Sequence, residues 1–355
     1  MRSVSGIVNS EEYIMKPLRY AVFGTGFWSQ FQIAAWNEVG GVELVAVYNR
    51  TVERAQRIAD RFGVPAVYGD AEALLDKEKL DFIDIITDVD THSRFTHMAI
   101  ERKIPVICQK PMAPTYEIAE GMVTAAKTAG VPFMIHENFR WQRPMRQVKR
   151  LLQEGEIGKP FRGRLFFNTS FPVFDNQPFL RELEQFILTD VGSHVLDCTR
   201  FLFGEAKNLY CKTKHVNQTI KGEDVASVFM EMGENNTIVT CEMSYASALE
   251  NERFPQVFAV IECENGVIEL DTDYWVRVTT KGQGTHAQRF APRHYPWADA
   301  EYDIVHSSIV DCNADLLKSL QTGQPAETNG ADNLETVRLV FASYESAATG
   351  RVITF

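Results

Sequence analysis

The chain has 355 residues, 45% of them hydrophobic and 23% charged, enough for two domains with separate cores. Its formal net charge of −11 disfavours nucleic acid as a partner, because phosphate-backbone binding needs a basic surface that displaces counterions. No run approaches the roughly 18 to 20 consecutive apolar residues of a membrane span. Residues 1–16 are too polar for a signal peptide, so the protein is expected in the cytoplasm, with no membrane partner.

Residues 1–17 lack a sustained apolar period and end in Pro17, which reads as a flexible extension before the first strand. Strand-like runs then follow at Leu18–Gly24, Val42–Tyr48, Ala66–Tyr68, Phe82–Thr87, Val106–Cys108 and Val131–His136. Helical patterns at Phe27–Val39, Thr51–Phe62, Thr91–Arg102 and Thr115–Gly130 separate them, which is the order of repeated βαβ units. The run Phe82-Ile83-Asp84-Ile85-Ile86 suits a strand covered on both faces, so residues 18–137 are expected to form an α/β, doubly wound parallel sheet.

Residues 138–355 change character. A helix over Arg143–Gly155 precedes strands at Arg162–Ser170, Asn208–Lys214, Val225–Met232, Thr237–Ser244 and Gln256–Glu262. Asn235-Asn236 and Asn265-Gly266 lie between extended segments and offer the positive φ values that tight hairpins use. With helices at Gly192–Phe203, His306–Leu320 and Ala331–Ala348, this half reads as an α+β domain. Its sheet is expected to be predominantly antiparallel, with helices on one face. The six cysteines show no Cys-x-x-Cys spacing and read as reduced core thiols, so no metal site is expected.

Gly24-Thr25-Gly26 comes straight after the first strand, with Phe27 and Trp28 opening the next helix, where backbone amides can hold a pyrophosphate. An ordinary strand-to-helix turn is the plainer alternative. Ser29 stands where a third glycine would, which sets the helix slightly farther from the strand. The second strand ends in Asn49-Arg50, without the carboxylate that usually holds the ribose hydroxyls of NAD. Arg50 could pair with a 2′-phosphate, favouring NADP, or be a solvated helix-start residue, whereas Asn49 could bond a ribose hydroxyl, permitting NAD.

Lys110, in Gln109-Lys110-Pro111, lies at the carboxyl end of a strand, the edge where open α/β sheets build their sites. Its ammonium could hydrogen-bond a substrate oxygen or exchange a proton, or it could be one more surface charge. Asp190 and His194 stand four apart at the start of an apolar helical pattern, hence on one face of its first turn, where they can converge on one ligand. A helix N-cap and a satisfied core histidine are the plainer readings. Near the end of the sixth strand, Asn138, Arg140 and Trp141 mix polar groups with aromatics, which suits sugar hydroxyls and ring faces or packing at a domain junction.

Taken in order, Gly24-Thr25-Gly26, Gln109-Lys110-Pro111, Glu137-Asn138-Phe139-Arg140 and the segment from Asp190 through His194 to Asp197 resemble the Gfo/Idh/MocA oxidoreductase family, over nearly the whole chain from Leu18. The resemblance implies a Rossmann domain followed by a substrate domain whose open sheet face makes oligomer contacts, hence a homo-oligomer. It implies Lys110 near the nicotinamide and substrate, Asp190 as a substrate-binding aspartate and His194 as the catalytic histidine. Thr87 and His92 would lie in a loop that approaches the cofactor, and Gln109 stands in place of the family's usual glutamate. The expected chemistry is oxidation of a sugar or polyol: His194 takes the hydroxyl proton, Lys110 polarises the oxygen, and the carbon's hydride moves to the nicotinamide. Ile107–Pro114 and His136–Gln142 are most similar to a subgroup that oxidises a branched pentose at its anomeric carbon to a lactone, which tips the cofactor expectation to NAD, with NADP not excluded. The alternatives are an inositol or other aldose dehydrogenase of the same family, a dinucleotide-sensing regulator without turnover, and a glycosidase that uses transient oxidation.

Overall fold

The computed structural model describes residues 16–250 and 254–355, so the expected N-terminal extension lies outside it except for Lys16 and Pro17. The first sheet contains β1 (Leu18–Phe23), β2 (Val42–Tyr48), β3 (Ala66–Tyr68), β4 (Phe82–Ile85), β5 (Val106–Gln109) and β6 (Phe133–His136). All its pairs are parallel, in the order β3-β2-β1-β4-β5-β6. The order reverses between β1 and β4, and that switch point is where the carboxyl ends of the strands leave a crevice. Helices α1 (Ser29–Val39), α2 (Val52–Phe62), α3 (Ala71–Lys77), α4 (His92–Glu101) and α5 (Tyr116–Ala129) connect the strands. Every residue of β4, β5 and β6 is buried, as expected for strands covered on both faces. Sequence patterning missed α3, a short helix whose Asp70 side chain accepts the Ala73 N–H as an N-cap.

Helix α6 (Arg143–Glu154) leads into β7 (Pro160–Asn168), the short α7 (Val173–Asn176) and α8 (Val191–Phe203). Strands β8 (Ala206–Lys214), β9 (Val225–Met232), β10 (Thr237–Ser244), β11 (Phe258–Cys263), β12 (Gly266–Asp271), β13 (Trp275–Thr280) and β14 (Gly284–Arg289) follow, then α9 (Asp303–Thr322), α10 (Gly330–Thr349) and β15 (Ile353–Thr354). The nine-stranded sheet runs β14-β13-β12-β11-β7-β10-β9-β8-β15 and is antiparallel except at β7–β10. That parallel pair arises because the chain leaves β7 through α8 and returns by the β8–β9–β10 meander. In β9 and β10, Val228, Met230, Val239 and Cys241 point into the core under α8 and α10, while Phe229 and Ile238 face outward, exposed. Asn236 has the expected positive φ (53°), as does Gly233, but Asn265 and Gly266 do not: Cys263 pairs with Gly266 across a two-residue turn of ordinary backbone. All six cysteines are free and buried.

Helix α9 packs along α1, placing Cys312, Leu316 and Leu317 in one core with Tyr20 and Trp36 of the first sheet's layer. Helix α10 touches α5 on one side and α8 on the other, so the two sheets are clamped with the ends of β5 and β6 facing α8.

Candidate active site

The turn after β1 is built by close approach. Gly24 has φ +98°, and a Cβ there would stand 2.6 Å from the Ile86 carbonyl oxygen, so only glycine lets β1 pass β4 at this point. Gly26 is exposed, with nothing within 4 Å of its would-be Cβ, which leaves an open cradle before the N-terminus of α1. Ser29 is fully buried and donates its hydroxyl to the Gly26 carbonyl at 2.7 Å, bracing the turn. Phe27 is exposed and Trp28 half-buried beside the cradle. Asn49 donates to the Thr25 hydroxyl at 2.8 Å and accepts the Thr51 N–H at 2.8 Å, so its amide is held against the glycine turn. Arg50 is well exposed, with Asp88 3.9 Å away. The open cradle before α1 and a polar β2 terminus fit a dinucleotide.

Two residues expected at the cofactor are engaged elsewhere. His92 is 1% exposed, with Nδ1 3.1 Å from the Pro111 carbonyl and Nε2 3.0 Å from that of Thr87. It ties the loop after β4 to the loop carrying Lys110, and burial pushes its pKa down. Gln109 is also buried: its amide donates to Gln32 at 2.6 Å and its carbonyl accepts the Lys110 backbone N–H at 3.0 Å. Gln109 thus holds the backbone that presents Lys110 and does not face the ammonium. Thr87, half-buried, accepts the Thr91 hydroxyl at 2.7 Å.

The carboxylate beside Lys110 is Asp190. Lys110 Nζ lies 3.2 Å from Asp190 Oδ1 and 3.3 Å from the Asp190 carbonyl oxygen, and the Tyr245 hydroxyl donates to Asp190 Oδ2 at 3.0 Å. Asp190 occupies the N-cap position of α8, yet its side chain bonds no helix amide. It is turned to the lysine instead, which decides against the capping alternative. One turn on, His194 stacks on Phe139 with ring centroids 3.8 Å apart and planes 4° from parallel, while its Nδ1 lies 2.5 Å from Glu137 Oε1. Burial, then the Lys110 charge, hold the His194 pKa well below the ordinary value, so the ring is neutral near neutral pH. Burial pushes Glu137 up to about 7 against the opposing pull of Lys110. Neither Glu137 nor Tyr245 was singled out from sequence. Glu137 opens the Glu-Asn-Phe-Arg run already selected, whereas nothing local marks Tyr245.

Of the three residues expected on the substrate, Arg140 and Asn138 are bonded within the fold and Trp141 packs in it. Arg140 is 4% exposed and grips Asp197 with Nε at 2.8 Å and Nη2 at 2.5 Å, and it also bonds Asp332 and the Glu327 carbonyl. Asn138 donates to Ser308 at 2.8 Å and to the Val305 carbonyl at 3.2 Å, fastening the end of β6 to α9. Trp141 packs in the core of the first sheet's layer under the Arg146 guanidinium, 4.3 Å from its ring centroid. Arg140 and Asn138 are thus engaged inside the clamp, whereas the Trp141 indole N–H is buried with no hydrogen-bond partner among the described residues.

A sheet-switch crevice with a glycine turn, next to a lysine, an aspartate and a neutral histidine, defines a dinucleotide-dependent oxidoreductase site. Residues 18–137 match the oxidoreductase family with an NAD-binding Rossmann fold, and residues 145–269 match the GFO/IDH/MocA C-terminal domain. The chain is 40% identical to a D-apiose dehydrogenase of Rhizobium rhizogenes, over 96% of this chain and 98% of that one. It is 38% identical to a D-apiose dehydrogenase of Paraburkholderia graminis, over 98% and 92%. Among solved structures, an oxidoreductase from Agrobacterium radiobacter in complex with NAD+, L-tartaric acid and magnesium superposes with a TM-score of 0.93 at 39% identity, covering 95% of this chain and 98% of that one. The chain belongs to the Gfo/Idh/MocA oxidoreductase family and is an oxidoreductase with an NAD-binding Rossmann domain.

Proposed function

We propose that this enzyme oxidises a small sugar, D-apiose at its anomeric carbon to the lactone, with NAD as acceptor. The observation that carries the chemistry is the pairing of Lys110 with Asp190 one helical turn from a neutral His194. Likeness over nearly the full chain to two D-apiose dehydrogenases supports the choice of sugar. Gly24, Thr25, Gly26 and Asn49 would hold NAD, which when bound would supply the hydride acceptor. His194 takes the hydroxyl proton, and the Lys110 ammonium donates a hydrogen bond to the oxygen, stabilising the negative charge that grows there. Asp190 orients that ammonium and offers its carboxylate to a neighbouring sugar hydroxyl. The protein acts in the cytoplasm; separately, none of its described helices is long and apolar enough to cross a membrane. It associates with copies of itself through the open sheet face bearing Phe161, Phe229 and Ile238.

The test is reduced-nicotinamide absorbance with NAD or NADP and a panel of D-apiose, other pentoses, hexoses and inositols. Turnover with D-apiose and NAD is expected. Lys110→Ala and His194→Ala should each lower kcat by about a hundredfold or more while dinucleotide binding persists. Wild-type turnover in both variants overturns the residue assignment. Dinucleotide binding with silence across the panel points to a regulator instead.

A further inference from the structure

Glu137 is the side chain in this site that the reaction just described leaves without a task. It is fully buried at the end of β6, with one carboxylate oxygen 2.5 Å from His194 Nδ1 and also accepting the Phe139 N–H at 3.2 Å. Its other oxygen is buried and has no hydrogen-bond partner among the described residues. A buried carboxylate oxygen left unpaired is costly, and in a native fold it calls for an explanation. The imidazole is fixed from two further sides: Phe139 lies flat against its face, and the first turn of α8 holds its backbone. No group among the described residues bonds Nε2, and that atom is not among those sealed from solvent without a partner.

We propose that Glu137 is the positioning residue of His194: its carboxylate accepts Nδ1–H, which fixes the tautomer whose Nε2 lone pair receives the substrate proton. The proposal rests on the reading of His194 as the base. When the hydroxyl O–H bond breaks, its electron pair stays on oxygen and the proton bonds to Nε2. The ring becomes an imidazolium, and its Nδ1–H stays on the ring, facing the carboxylate. If Glu137 is protonated it must instead donate to Nδ1, which puts the ring proton on Nε2 and removes the base. The enzyme therefore works with Glu137 ionised.

The direction of the pH response follows. Burial raises the carboxyl to about 7, and the groups facing it do not cancel that effect. Lys110 from the β5 loop and Arg140 from its own segment favour ionisation, while the thiols of Cys198 on α8 and Cys312 on α9 sit nearby uncharged, both raised well above the ordinary thiol value by burial. Asp197 is committed to Arg140. Activity should rise with pH through about 7, on a limb that belongs to the carboxyl and not to a free imidazole.

The experiment compares wild type, Glu137→Gln, Glu137→Asp and His194→Ala in two ways. Proton NMR of the enzyme without sugar reads the Nδ1–H held by a carboxylate as a resonance far downfield of the amides. It is expected in wild type, shifted in Glu137→Asp, and absent from Glu137→Gln and His194→Ala. Turnover of D-apiose with NAD as a function of pH should fall by about a hundredfold or more in Glu137→Gln. The limb near neutral pH should disappear with it, and Glu137→Asp should recover part of the rate with that limb displaced; dinucleotide affinity checks that each variant is folded. A downfield signal that survives in Glu137→Gln overturns the proposal, as does wild-type turnover and pH dependence in that variant beside an inactive His194→Ala. Wild-type turnover in His194→Ala, with the downfield proton still lost in Glu137→Gln, overturns the base and leaves the tautomer contact standing.

Discussion

Replacing Arg140 by leucine separates a structural arginine from a substrate-binding one. Asp197 is 0% exposed, and without the guanidinium its carboxylate loses both charge-assisted bonds and keeps only the Thr336 hydroxyl at 3.1 Å. Asp332 still has Arg200, at 3.3 Å, so the unpaired charge falls on Asp197 alone. Breaking one side of a buried pair in this way costs about 3–5 kcal/mol, because the remaining charge must be protonated or reached by water. Arg140→Leu/Asp197→Leu removes both charges and should recover most of the loss, since two apolar side chains of similar volume can fill the space. Urea unfolding followed by tryptophan fluorescence reads the stability of the wild type, both single variants and the double variant. Sugar KM measured in the double variant completes the test. A single-variant loss below about 1 kcal/mol, or a KM that stays raised when stability is restored, would refute the structural role and return Arg140 to the substrate.

Two further outcomes follow from the geometry. Gly24→Ala should destabilise the enzyme, through a contact of 2.6 Å and a φ of +98°, whereas Gly26→Ala, with nothing within 4 Å, should leave thermal stability unchanged and weaken dinucleotide binding; fluorescence titration with NADH beside thermal unfolding separates the two. Asp84 is fully buried, accepting from Gln32 and Trp36, and burial raises it from 3.8 to about 7. Its folded pKa exceeds its unfolded one, so the stabilising contribution is fully present below 3.8 and is lost as pH rises through about 7. The loss amounts to about 4 kcal/mol, and unfolding free energies of Asp84→Asn should be flatter by that order over the same interval. A slope equal to wild type would show that Asp84 is ionised throughout.

Strands β2, β3, β9 and β10 were legible to the residue because each is a run of branched and aromatic side chains bounded by turn formers. Strand β14 was not, since its side chains are polar and mostly exposed and leave no apolar signal, and β12 and β13 were passed over although they carry branched side chains. The site divides along the same line. Strand-end position marked Lys110, and spacing of four marked Asp190 with His194, both of which are local properties of the chain. The pairings that decide their roles join residues 80 apart for Lys110 with Asp190 and 57 apart for Glu137 with His194, and no local pattern carries them.

Helix α8 nevertheless holds a signal that extends the pair already recognised. Positions 190, 194, 197 and 201 fall on one stripe at helical spacing. In the structure they meet, in turn, Lys110 from the end of β5, Glu137 from the end of β6, Arg140, and the Arg140 and Arg146 guanidiniums over Phe201. Val195, Leu196 and Leu202, off that stripe, belong to the core of the second sheet's layer. A helix that is buried on nearly every side but carries a row of ionisable residues must find a counter-group for each of them elsewhere in the chain. Following the row from Asp190 and His194 to Asp197 requires a buried cation as its partner, and the Glu-Asn-Phe-Arg run supplies both that arginine and the carboxylate for the histidine. The same ladder fastens the two layers together, and Arg140, which reads in the sequence as a ligand contact, is bonded in the structure to the face of α8 that carries Asp190 and His194.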